Sequence, residues 1–314
     1  MIPVAAALAP VFALIVIGFG LRRTGFLGPS FWEQADLLTY YVLFPSLLLH
    51  SLATAALTGL NPGGMALALA VATLLVAAVL IFARRGLALE GPSFTSVFQG
   101  AIRPNTYIGL AAAGALFGAD GLALAAVAVA ATVPLVNVLS VIALAVYANG
   151  RETGAASALR IGRDVVLAVA RNPLVLACLA GILLNWRGVG VPYAGPVIEV
   201  LGRAALPMGL LSVGAGLDGT GLRGSVIPMS VSAGAKLILL PLLAALLVAV
   251  TGTGGLAAAV TVLFAALPTS ATSYVMARRM GGDHGLMAGI ITCEIILAAA
   301  AIPAALTLLG PAPP

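Results

Sequence analysis

The sequence predicts an all-α polytopic membrane protein: ten transmembrane helices in two inverted five-helix repeats, with helices four and nine broken. Three observations predict it. The 314-residue chain is 61% hydrophobic and 8% charged, with a mean hydropathy of +1.15, which excludes an ordinary soluble domain. Many of its apolar runs reach the roughly 20 residues that a helix needs to cross a bilayer. Two of those runs carry a proline near their centre at matching places in the two halves. Ser93 to Phe117 is interrupted at Arg103-Pro104-Asn105, and Leu256 to Ala277 at Leu267-Pro268-Thr269-Ser270. Continuous apolar runs, rather than alternation, argue against a β-barrel.

The spans read, in order, as 3–21, 35–53, 64–83, 93–117, 121–147, 168–186, 196–217, 226–250, 256–277 and 285–309. The first is too long, and its start too uncharged, for a cleavable signal peptide. The second holds Pro45 and, near its outer end, His50. The third ends at Arg84 and Arg85. The fourth is the first broken span, and its Gly114 and Gly118 read as a small-residue pair for close helix packing. The fifth carries Asn137. The sixth contains Cys178 and ends at Arg187. In the seventh, Pro207 is internal and Glu199 and Arg203, four apart, share a helix face as a local pair. The eighth carries Lys236. The ninth is the second broken span. The tenth opens at His284 and carries Cys293 and Glu294. Neither histidine has a carboxylate or cysteine partner at catalytic spacing, and both read as structural. Both cysteines lie within spans and read as inert thiols. No metal-ligand spacing occurs, so no cofactor is expected.

The charges orient these spans. Of the 15 basic residues, eleven fall on one side: Arg22, Arg23, Arg84, Arg85, Arg151, Arg160, Arg163, Arg171, Arg223, Arg278 and Arg279. Arg187 alone falls on the other. Positive residues stay cytoplasmic, which places both termini outside a cell (inner or plasma) membrane. The net charge of +5 therefore reflects membrane topology and not a nucleic-acid partner.

The halves repeat. Pro10 and Gly18 match Pro173 and Gly181 at an offset of 163, Pro45 matches Pro207 at 162, and Pro104 matches Pro268 at 164. Five spans per half is an odd number, so the second copy runs through the membrane in the opposite sense. The repeats cover 1–147 and 168–314, joined by a cytoplasmic connection at 148–167. Ala155 to Ala170 reads either as an amphipathic helix on the inner leaflet or as a solvated linker.

A charge inside a bilayer is expensive and marks a functional position by default. At about 1.5 Å per residue, Arg103 lies roughly 15 Å along its span, near the bilayer centre. Lys236, Glu294, Asn137 and both proline breaks share that depth. Beyond each proline a new half-helix begins, flanked by Asn105-Thr106 in one case and Thr269-Ser270 in the other. Helix N-termini present unpaired N–H groups and partial positive charge. Two such ends with Arg103 favour an anion, a carboxylate above all. The other reading of Arg103 is that it ties down carbonyls freed by the kink. Lys236 and Glu294 form a buried ion pair, or Glu294 carries a transported proton.

These residues carry a family likeness. Pro104-Asn105-Thr106 in a broken fourth span and Leu267-Pro268 in a broken ninth resemble the auxin efflux carrier family, which includes plant auxin exporters and bacterial malonate or malate carriers. Pro45 followed by His50, and the run Lys236 to Pro241, resemble its second and eighth spans. The likeness covers essentially the whole chain. It implies that spans four and nine cross at their prolines to bind substrate, with Pro104, Asn105 and Pro268 at the crossover. It further implies a homodimer and elevator-type alternating access. The plant members' long central loop is absent here, and Glu294 stands where those members are apolar.

The sequence thus points to a secondary-active transporter, an exporter of a small organic anion, with Arg103, Pro104, Asn105, Thr106, Asn137, Pro268, Thr269 and Ser270 as substrate-binding residues. The alternative is a sodium- or proton-coupled carrier of the bile-acid or sodium/proton antiporter type. Such sites want carboxylates at the crossover, and no acid lies within ten residues of Pro104 or Pro268. A passive channel or receptor is a further class. An intramembrane enzyme finds no paired acids or Ser-His arrangement.

Overall fold

The computed structural model describes residues 2–56, 59–148, 162–163, 166–167, 170–188, 194–218 and 226–310. Most of the connection at 148–167, including Arg151, Arg160 and most of the expected amphipathic stretch Ala155 to Ala170, lies outside the described residues, as does Arg223. Among the described residues there are helices and no strands. They are α1 (Ile2–Arg23), α2 (Pro29–Leu38), α3 (Phe44–Ala53), α4 (Pro62–Leu87), α5 (Gly91–Ile102), α6 (Thr106–Ala143), α7 (Pro173–Trp186), α8 (Gly195–Ala215), α9 (Val226–Gly234), α10 (Leu240–Thr251), α11 (Gly255–Ala265), α12 (Thr272–Met280) and α13 (His284–Leu308). π turns join α2 to α3 (Thr39–Leu43) and α9 to α10 (Ala235–Leu239), and a third follows α6 (Leu144–Ala148).

Seven of these helical segments are long and apolar enough to cross a membrane, and Pro173–Trp186 and Gly255–Ala265 are shorter apolar helices. Large apolar side chains remain on the outside, among them Val16, Phe82, Leu179 and Leu246. That surface suits lipid tails, as the helix backbone satisfies its own hydrogen bonds. The chain is a multi-pass membrane protein.

Local chemistry sets the helix ends. Asn61 and Asn172 each cap the following helix through a side-chain oxygen, with proline in the first turn, where its missing N–H costs nothing. Asn172 makes α7 begin at Pro173, later than the expected 168. The two in-span π turns have a common cause. Each precedes a proline, Pro45 or Pro241, and contains the residue four before it, Tyr41 or Leu237. Proline removes the N–H that this carbonyl would accept and crowds it sterically, and one wide turn absorbs both effects.

Gly118 has φ 65° and ψ −149°, a conformation open to glycine, and divides α6 into legs 106–117 and 119–143. A Cβ there would meet nothing within 4 Å. The packing role expected for Gly118 is therefore corrected: Gly118 is the turn between the two legs of α6.

The helices pack as two groups. One consists of α1, α2, α3, α7 and α8; the other of α4, α5 and α9 to α13; α6 packs against both and makes most of the contacts that join them. Gly18 of α1 lies directly on the Leu211 backbone of α8, and Gly181 of α7 on Leu49 and Leu52 of α3. In the second group, Asp283 ties the starts of α5 and α13 together. It accepts from Ser93 Oγ at 2.9 Å and, through its carbonyl, from Ser96 Oγ at 2.8 Å, while its Oδ1 caps Leu286 N. This clamp fixes where α5 enters the site.

Candidate functional site

Helix is interrupted at Pro104, between α5 and α6, and at Pro268, between α11 and α12, as expected from the prolines, and the two breaks touch. α5 ends at Ile102; Arg103 is extended at ψ 125°, Pro104 follows, and Asn105 caps α6. α11 ends at Ala265, and helix resumes only at Thr272. Proline explains both gaps, because it disfavours helix in the residue before it and cannot donate within it. The stranded backbone groups find one another. Asn105 N–H donates to the Pro268 carbonyl at 2.8 Å. The Asn105 Nδ2 donates to the Thr269 carbonyl at 3.4 Å, and its Oδ1 accepts from Ile108 N at 3.2 Å. Asn105 thus caps its own helix and holds the other break with one side chain.

Arg103, Asn105, Thr106 and Thr269 are buried, and Ser270 is half-buried beside exposed Ala271 and Thr272. The Arg103 guanidinium turns toward α12 and the second leg of α6. It donates to Thr272 Oγ1 at 3.0 Å and to Ser140 Oγ at 3.3 Å, and touches Met276 Sδ at 3.7 Å, while its Nε has no partner. None of those partners is a carbonyl, so Arg103 does not tie down the backbone freed by the kink. None is a carboxylate either. A buried guanidinium with only neutral partners keeps its charge available to an anion, since burying a charge without a counterion is costly. Thr272 links it to the half-buried Ser270, with the two hydroxyls 2.9 Å apart.

The second break is held differently. Thr269 N–H donates to Glu294 Oε2 at 2.9 Å, and Ser232 Oγ donates to Glu294 Oε1 at 2.8 Å. The direct Lys236–Glu294 bond expected from the sequence is not made. Lys236 is fully buried and within electrostatic range of Glu294, yet its Nζ has no hydrogen-bond partner. The two oxygens of the carboxylate face Ser232 and the Thr269 N–H, and Lys236 acts on it only through space. No acid lies within ten residues of either proline along the chain, but in space Glu294, which the sequence places at the depth of the breaks, lies against Thr269.

Asn137 is half-buried and makes no hydrogen bond with the crossover; Ser140, three residues on, takes the place assigned to it. Sequence reasoning also missed Thr272, Met276 and Ser232. Periodicity offered a signal for Ser140, which shares the helix face of Asn137. Two residues beyond Asn105, Tyr107 of α6 stacks on Phe44 of α3, with ring centroids 4.3 Å apart and planes 8° apart. The Glu199–Arg203 pair forms at 2.6 Å on the exposed face of α8. His284 packs edge-on against Tyr274, and Cys178 and Cys293 are free thiols. Among the described residues no three His, Cys, Asp or Glu side chains gather as a metal site.

Crossed broken helices in a bilayer-sized helical bundle are a transporter's equipment, and the comparisons with known proteins agree. The chain is 26% identical over 295 residues to an uncharacterized transporter of Methanothermobacter thermautotrophicus, covering 93% of this chain and 94% of that one. The family described as membrane transport protein matches residues 3–306. The chain therefore belongs to that membrane transport family, the auxin efflux carrier family whose motifs stand at Pro104-Asn105-Thr106 and Leu267-Pro268.

Proposed function

We propose that this transporter is a secondary-active carrier, working as an exporter, for a small organic anion: a carboxylate, dicarboxylate or auxin-like acid. The observation that carries this reading is Arg103, a buried guanidinium at the crossover whose hydrogen-bond partners are all neutral. The substrate carboxylate binds between Arg103, Ser270 and Thr272, with Asn105, Thr106, Pro104, Pro268 and Thr269 shaping the crossover behind it. Asn137 lines the approach along α6.

The ten-span inverted repeat is the finer architecture that goes with this function. Its support is the contact pattern: Gly18 on α8 and its counterpart Gly181 on α3 exchange partners as a two-fold axis in the membrane plane requires. The two helix groups fit an elevator, with the group holding the crossover sliding on α1, α3, α7 and α8. Stacked rings such as Tyr107 and Phe44 make a boundary that shear can cross. Both termini lie outside, and the carrier is a homodimer by family likeness.

A cation-coupled carrier is the second reading, favoured by the Glu294 carboxylate at the Pro268 break. Lys236, within electrostatic range, supplies a positive charge there already. The test is thermal stabilisation of purified protein by a panel of mono- and dicarboxylates, indole-3-acetate and inorganic cations. A ligand that binds the native state raises its apparent stability with concentration. Stabilisation by an acid that is lost in Arg103→Ala or Asn105→Ala supports the anion site. A response to sodium alone moves the assignment to the cation-coupled relatives.

A further inference from the structure

We propose that Glu294 is the proton-binding group of this carrier and that proton and anion are bound and moved together. The inference rests on the anion site at Arg103 and adds the coupling ion. It stands on three geometric facts. Glu294 is fully buried, and its two oxygens are held by two groups from different parts of the chain: Ser232 Oγ and the Thr269 backbone N–H. Thr269 is also the residue whose carbonyl accepts from the Asn105 side chain. One residue therefore connects the carboxylate to the crossover by a hydrogen bond on each side. Lys236, buried and within electrostatic range, has a Nζ without a hydrogen-bond partner.

The sign of the coupling follows from the charges. With Glu294 ionised, the buried region holds Arg103 and Lys236 as cations and one carboxylate. When Glu294 takes a proton from water, its negative charge is lost and the Thr269 N–H loses a charge-assisted acceptor. Lys236 is then a buried cation with no other anion acting on it among the described residues. Both changes favour the arrival of a substrate carboxylate. By reciprocity, a bound anion favours protonation of Glu294 to the same degree. No bond other than the carboxyl O–H is made, and the proton returns to water when the anion leaves.

The surroundings leave Glu294 as the group that answers. α13 packs against α1, α5, α9, the π turn Ala235–Leu239, α11 and α12. From these come Lys236, the Arg22 and Arg23 end of α1, Arg103 after α5, and Tyr274, Arg278 and Arg279 of α12; α9 and α11 contribute no titratable side chain. Cys293 and His284 lie on α13 itself, and Asp218 bonds to Thr292. Glu294 is the one carboxylate of this set that touches the crossover.

The experiment is a proton-uptake titration. Purified protein in weakly buffered solution, above the probes' own ionisation range, receives malonate or indole-3-acetate while a soluble pH dye is read and binding is followed by thermal stabilisation. The wild type is expected to take up about one proton per bound probe, and its apparent affinity to fall about tenfold per pH unit on the alkaline side. Glu294→Gln keeps a hydrogen-bond acceptor for Thr269, binds the probe, and shows neither effect. Glu294→Gln combined with Lys236→Met removes both buried charges together and serves if the single variant does not fold; it too is expected to bind without proton uptake. Probe binding to wild type without uptake, or undiminished uptake in either variant, overturns the inference while leaving the anion site standing. Failure of both probes to stabilise wild type at any pH overturns the anion site itself, and the coupling with it.

Discussion

At Pro104 the chain repairs its break from close by, whereas at Pro268 it borrows a carboxylate from a helix 25 residues further along. The two breaks stand 164 residues apart at corresponding places in the sequence and face the same problem, a run of backbone groups that neither helix nor lipid can satisfy. Asn105 solves the first with one side chain that caps α6 and reaches Thr269. The second has Thr269 at the matching position, whose short side chain cannot do the same, and Glu294 supplies the acceptor instead. The cations are unequal as well. Arg103 stands beside the first proline, where the second half has Leu267; Lys236 and Glu294 stand by the second, where the offset of 164 leads to Ala72 and Ala130 in the first half. Corresponding breaks thus carry unlike charges: the first has a buried cation with neutral partners, and the second a carboxylate bonded within the protein.

The sharpest way to break this comparison is to remove each repair. Glu294→Ala strands the Thr269 N–H and leaves Lys236 uncompensated, and is expected to cost about 3–5 kcal/mol of stability, read as a large drop in melting temperature. Arg103→Ala is expected to act on binding, weakening the anion by about 2–5 kcal/mol in a thermal-shift titration, with the fold retained. Asn105→Ala removes a cap worth about 0.5–2 kcal/mol. It leaves folding nearly intact while impairing anion binding, because the hold on Thr269 goes with it. Unchanged binding in folded Asn105→Ala protein would count against the crossover as the site. Smallest of all, Arg203→Ala loses a solvent-exposed pair on α8 and should shift stability by less than about 1 kcal/mol, with no effect on binding.

Much of the frame is legible in the amino-acid sequence. Pro104 and Pro268 mark breaks because proline acts on its own backbone, whatever surrounds it. Asn105 after the first proline reads as a cap for the same local reason. The Glu199–Arg203 pair follows from helical spacing alone. The partners of Arg103 are less legible. Ser140, Thr272 and Met276 come from two other helices, and hydroxyls and thioethers are too common in apolar spans to stand out. Glu294 is visible as a buried charge, but its bonds to Thr269 and Ser232, in place of Lys236, depend on how α13 lies against the second break. Gly118 shows the same limit in reverse: spacing suggests packing, and only its backbone angles show a turn.

What the sequence determined by itself is what hydropathy, charge and proline impose locally: membrane-length helices, arginines at their ends, two breaks at corresponding places and the likeness they carry. What the tertiary structure decided is who answers each unsatisfied group. A buried donor takes an acceptor that packing brings within about 3 Å, and nothing in the spacing along the chain encodes that choice. Thus Arg103 is left with neutral partners, Glu294 is committed to Thr269, and Lys236 lies near a carboxylate that it does not touch.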